Sequence, residues 1–68
     1  MKSGVIKVEG LQTQNDADKV AQALHAVWGI RRAEVSLNSS EATFTYDENA
    51  ANDIDFHQAI TEAGFKIK

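Results

Sequence analysis

No cysteine occurs in the 68 residues of this chain. That absence excludes a disulfide staple, a thiolate metal site and any thiol chemistry, while leaving the compartment open. A dense basic face is also missing. The net charge is −3, and among seven Lys and Arg residues only Arg31 and Arg32 are adjacent. Binding of nucleic acid through its phosphates is therefore not expected. No apolar run approaches the ~18 residues of a membrane span, so no membrane insertion is expected. Met1-Lys2-Ser3-Gly4 has no apolar stretch of signal-peptide type, which makes a cytoplasmic location the expectation.

What is present is ordinary globular material. Hydrophobic residues make up 43% and charged residues 25%, values that argue against disorder. The length allows one domain, spanning 1–68. A chain this short buries only about 60% of the surface its unfolded form exposes, so its stability rests on a compact two-layer core.

The apolar pattern changes period along the chain. Val5 to Glu9 alternates, with Ile6 and Val8 expected inward and Lys7 and Glu9 outward. Gly10 breaks this strand and Leu11 follows as an apolar anchor. From Asn15 to Val27 the apolar residues Ala17, Val20, Ala21, Leu24 and Val27 recur at spacings of 3 and 4, one face of a helix. Thr13-x-x-Asp16 has the form of a capping box written with Asp, and Gly29 is expected to end the helix. Ile30 to Leu37 alternates again, Asn38 to Glu41 is a turn, and Ala42, Phe44 and Tyr46 alternate with Thr43 and Thr45. Asn52 or Asp53 caps a second helix whose stripe is Phe56, Ala59, Ile60 and Ala63. Gly64 closes that helix, and Phe65 to Lys68 forms a last strand.

The order βαββαβ with right-handed crossovers predicts an α+β, ferredoxin-like sandwich: a four-stranded antiparallel sheet with two helices on one face. In this topology the Leu11 to Asp16 loop, the Asn38 to Glu41 turn and the Gly64-Phe65 junction share one pole. Both termini are expected at the other pole, with His25 and His57.

Several segments resemble one family in order and spacing. Val8-x-Gly10-Leu11, Gly29-Ile30-x-x-Ala33-x-Val35-x-Leu37, Ala42 to Asp47, and Ala59-Ile60-x-x-Ala63-Gly64-Phe65 are similar to the heavy-metal-associated domain of copper chaperones, mercury-binding proteins and metal-transporting ATPase N-termini. The resemblance covers nearly the whole chain. It implies a metal-binding loop of the form Met-x-Cys-x-x-Cys after the first strand. In this sequence the three consensus positions are Leu11, Thr13 and Asp16, with Gln14 and Asn15 between the last two. Thiolate suits Cu(I) and also serves Zn²⁺, whereas a Thr hydroxyl and a carboxylate are hard, weaker ligands. The resemblance thus implies the fold and the docking pole, with the soft-metal site lost.

The residues in the loop read first as a helix cap. His25 and His57 read as two solvent-facing residues on polar helix faces. Trp28 is expected to pack over the end of the first helix. As an exposed residue it would instead be a partner anchor, and Trp28 and Phe65 are the candidate partner contacts. Arg31 and Arg32 read as solvated, with an acidic docking partner as the alternative. Enzyme activity is not expected. An acylphosphatase site on this fold needs an Arg between Gly10 and Asp18, and none is there; Thr13 has no neighbouring His to act as base. The open sheet face offers Lys7, Ser36, Thr43 and Thr45, where an RNA-binding sheet carries aromatics.

Three functions remain open from the sequence. One is a relative of metal chaperones, without cofactor or bound metal, docking to a metal-transporting ATPase or another metallochaperone. The second is an interaction or regulatory module unrelated to metals. The third is a weak hard-cation binder using Asp16.

Overall fold

A computed structural model describes all of residues 1–68. The elements are β1 (Lys2–Glu9), α1 (Gln14–His25), β2 (Ile30–Ser36), β3 (Glu41–Tyr46), α2 (Asp53–Glu62) and β4 (Lys66–Ile67). The four strands form one antiparallel sheet in the order β2-β3-β1-β4, so the expected sandwich is observed.

The alternating strand residues form the core from one side. Ile6, Val8, Ala42, Phe44 and Tyr46 are buried beneath the helices, while Lys7, Glu9 and Thr43 face solvent. From the helices come Ala17, Val20, Leu24, Phe56 and Ile60. Three aromatic rings occupy the centre. The Phe44 and Phe56 rings stack with centroids 4.4 Å apart, and Tyr46 leans on Phe56 at 4.9 Å. Gly4, opposite Phe44 in the β1–β3 register, makes room for this cluster. A Cβ on Gly4 would lie 2.6 Å from the Phe44 ring, a close approach of the kind that glycine in a strand permits.

The loop pole is assembled as expected. The N–H of Val8 donates to the carbonyl of Ser40 at 2.8 Å, tying the β2–β3 turn to the end of β1. At the end of α2, the N–H of Gly64 donates to Thr61 and the N–H of Phe65 donates to Ile60. With Gly64 at φ +99°, this is a Schellman ending, and Phe65 folds back beside Ile60.

Four expectations are corrected. The helix α1 stops at His25 with Ala26 as C-cap, so Gly29 does not end it. Gly29 instead takes the third position of a Val27–Ile30 turn, at φ +95° and with the Ile30 N–H donating to Val27 at 3.3 Å. Positive φ at that position defines a type II turn. Trp28 occupies the projecting corner of the turn and is 83% exposed, so it does not pack over the helix end. Ala63 is exposed because it lies on the open side of α2, beyond the buried Phe56 and Ile60. Finally, β4 is only two residues long. Met1 lies at the far pole, with its ammonium 3.1 Å from Glu48, but the N–H of Lys68 donates to the carbonyl of Lys7, toward the loop end of β1. The C-terminal residue therefore does not reach that pole.

Phe56 is fully buried between the other two rings. Its replacement by Ala is expected to cost about 3–5 kcal/mol, against a total of roughly 3–10 kcal/mol for a domain of this size. Urea unfolding followed by far-UV circular dichroism should show Phe56→Ala largely or wholly unfolded in buffer.

Candidate functional site

The loop begins where β1 runs out. Gly10 turns the chain at φ +91°, and the Phe65 ring lies 3.9 Å from where a Cβ of Gly10 would stand. Leu11 then drops into the core, 9% exposed. These two residues fix where the next five begin, and Gln12, Thr13, Gln14 and Asn15 are left facing solvent.

Four backbone N–H groups at a helix start have no intrahelical partner. Here the loop supplies partners from its own side chains. Thr13, in an extended conformation, is the N-cap, and its Oγ1 accepts from the N–H of Asp16 at 3.2 Å. The Asp16 carboxylate turns back, and its Oδ2 accepts from the N–H of Gln12 and of Thr13, each at 3.2 Å. The capping box expected from Thr13-x-x-Asp16 is therefore present in both directions. One turn on, the Gln14 amide donates to Asp18 at 3.1 Å.

Charge follows this geometry. The N–H of Gln12 and then that of Thr13 hold the Asp16 carboxyl below its ordinary value of 3.8, with Lys19 adding a smaller pull in the same direction. Desolvation, second only to the Gln12 bond, acts the other way without reversing the direction. The positive end of α1 favours the same ionised form. Asp16 thus stands as an anion committed to the backbone. Its Oδ1, the Gln12 and Asn15 side-chain amides and the Gln14 Oε1 are polar groups the loop leaves uncommitted.

The remaining predicted residues lie apart from this loop. His25 and His57 are exposed, and nowhere do three His, Asp or Glu side chains gather in a metal-ligating group. Of the two candidate partner contacts, Phe65 is half-buried against Gly10 at the loop pole, and Trp28 stands fully out at the other. One feature escaped the sequence reading. An open groove of about 610 Å³ runs between α1 and α2 and ends at Trp28. Its signal was the exposed-side alanines, Ala23 and Ala26 on α1 and Ala63 after α2, which leave a gap where larger side chains would fill it.

Replacing Thr13 with Ala removes the acceptor for the Asp16 N–H and is expected to cost about 1 kcal/mol. Asp16→Asn addresses the carboxylate through pH. A carboxyl whose folded pKa is depressed contributes stability that is complete above its ordinary value and is lost as pH falls through the folded value. The stability gap between the native chain and Asp16→Asn should therefore be constant from pH 7 to about 5 and shrink below about 3.8. Urea midpoints measured across that range check it; a gap that does not change with pH would count against the carboxylate cap.

The model of the heavy-metal-associated domain family matches residues 5–66. Among curated proteins, the copper chaperone CopZ of Staphylococcus haemolyticus is 32% identical over 68 residues, covering all of both chains. CopZ of Staphylococcus epidermidis is 29% identical over the same span. Among solved structures, a copper-binding domain from the P-type ATPase HMA7 superposes with a TM-score of 0.96 at 28% identity, over 100% of this chain and 92% of that one. Oxidized MerP from Ralstonia metallidurans shares the fold, with a TM-score of 0.92 at 19% identity over 98% of this chain and 93% of its own. With the match running from β1 through β4 and the loop in its place between β1 and α1, the chain belongs to the heavy-metal-associated domain family.

Proposed function

We propose that this chain acts in metal transport as a docking member of its family and carries no soft metal ion itself. The observation behind this reading is the chemistry of the loop. At the family's two cysteine positions stand a neutral hydroxyl and a carboxylate, and both already serve the backbone of α1. Cu(I) prefers two soft thiolates. To recruit Thr13 and Asp16 as ligands would strip the cap from the helix and still supply only hard oxygen donors.

Docking is supported by what the loop pole presents. Gln12, Gln14 and Asn15 are exposed around the start of α1, and Phe65 offers a half-covered ring beside them. The related proteins include a copper chaperone and a copper-binding domain of a P-type ATPase. A metal-transporting ATPase or a metal-loaded chaperone is thus the partner class, met through polar contacts around one aromatic ring.

Backbone amide shifts recorded during titration with Cu(I) and, separately, Zn²⁺ test the first half. No saturable shift is expected at Thr13 to Asp16 at micromolar metal; saturable shifts there would show that the loop still binds. The second half is tested with the metal-binding domain of a copper-transporting ATPase. Shifts are expected at Gln12 to Asn15 and at Phe65, and Asn15→Ala with Gln14→Ala should weaken them. A partner domain that leaves this pole unshifted contradicts the docking reading.

A further inference from the structure

The helical face of this domain carries an apolar groove, an exposed tryptophan and unpaired charges of both signs. The floor of the groove is alanine: Ala23 and Ala26 from α1, Ala59 and Ala63 from the α2 side. Small side chains on both helices let another surface approach closely. Trp28 stands at one end, 83% exposed. Along one edge Asp55 and Glu62, seven residues apart on the same face of α2, line the groove. The chain forms two ion pairs, Met1 with Glu48 and Lys7 with Glu41. Neither Asp55 nor Glu62 is neutralised by a cation.

On the other side of Trp28 lies the complement. The β2–β3 register skips Arg31, with Ile30 opposite Tyr46 and Arg32 opposite Thr45. Arg31 is therefore the extra residue of a β-bulge, a feature that re-aims a side chain. Arg32 lines the outer face of the sheet, whereas Arg31 lines a depression shared with Trp28, Ala26, Val27 and Asp47, whose carboxylate accepts from the Asn49 N–H. Arg31 has no ion-pair partner either.

We propose that the occupant of this groove is a second copy of the chain, related by a two-fold axis across the α1–α2 face. A two-fold contact uses one patch against itself, so the patch must hold both halves of every pairing. This one does. Arg31 lies at the end where β2 begins, and Glu62 at the opposite end, where α2 finishes. An axis through the middle of the groove reverses these ends, bringing Arg31 of each copy to Glu62 of the other. Trp28 of each copy then lies over the alanine floor of its mate. A buried tryptophan with an arginine beside it, one such set toward each end of the contact, matches the residue types that dominate interface hot spots.

Trp28 is the only tryptophan and reports on its own burial. Sedimentation equilibrium and tryptophan emission are measured in parallel from roughly 10 µM to 1 mM chain, the upper limit reaching weak affinities. The mass is expected to rise from one chain towards two while the emission moves to the blue. Trp28→Ala should weaken association at least ~10-fold, with the dispersion of its amide spectrum unchanged because the side chain lies outside the core. Arg31→Glu and Glu62→Arg should each weaken association, and the double exchange should restore it. Glu34→Arg, on the outer sheet face, should have no effect. A single-chain mass with red emission up to 1 mM overturns the proposal and leaves the groove to another partner. Dimers that form without a blue shift, or a double exchange that fails to restore them, also overturn it.

Discussion

The Oδ2 atom of Asp16 holds two backbone N–H groups, and the rest of the site depends on that arrangement. The carboxylate closes the chain back onto residues 12 and 13 just as it leaves the sheet. Thr13 returns the bond from the other direction. Between them they set the direction of α1, and with it the positions of Ala17, Val20 and Leu24 over the sheet. A cysteine pair at these two positions would be available to a metal. A Thr–Asp pair spends its polar atoms on the helix. Structure and chemistry compete for the same few atoms, and here the helix takes them.

Much of this was legible in the residues because each signal had one dominant cause. Strands with one buried face alternate, and Ile6, Val8, Ala42, Phe44 and Tyr46 are buried where alternation puts them. Caps need a short oxygen-bearing side chain with an acceptor three residues on, and both Thr13-x-x-Asp16 and Asn52-x-x-Asp55 supply one. The misreadings fell where two causes share one residue type. Gly29 has the positive φ of a helix-ending glycine but uses it in a turn after the helix has already ended. The earlier end of the helix moves Trp28 from a packed position to the corner of the turn. Gly4 carries no signal in the sequence, because a strand glycine has no pattern of its own, yet the Phe44 ring needs its missing side chain. The bulge at Arg31 leaves no trace in hydrophobicity, since register is set by the pairing partner.

The two ends of the domain have separate assignments as a result. The loop end carries the cap, Phe65 and the polar residues around them. The other end carries Trp28, Arg31 and the mouth of the alanine groove. The aromatic cluster of Phe44, Tyr46 and Phe56 lies between and holds both ends to one rigid sheet. Changes at one end are thus expected to leave the other end's geometry intact.

The central claim is that the loop keeps the form of a metal site and lacks only its ligands. The double variant Thr13→Cys with Asp16→Cys tests this most directly. Cu(I) binding is measured under reducing, anaerobic conditions by competition with a chromogenic chelator, with circular dichroism to follow the fold. One Cu(I) per chain, held tightly enough to compete with the chelator in a domain that stays folded, is the predicted result. A folded double variant that takes up no Cu(I) would contradict the claim, because the backbone of the loop would then have departed from a metal-holding form.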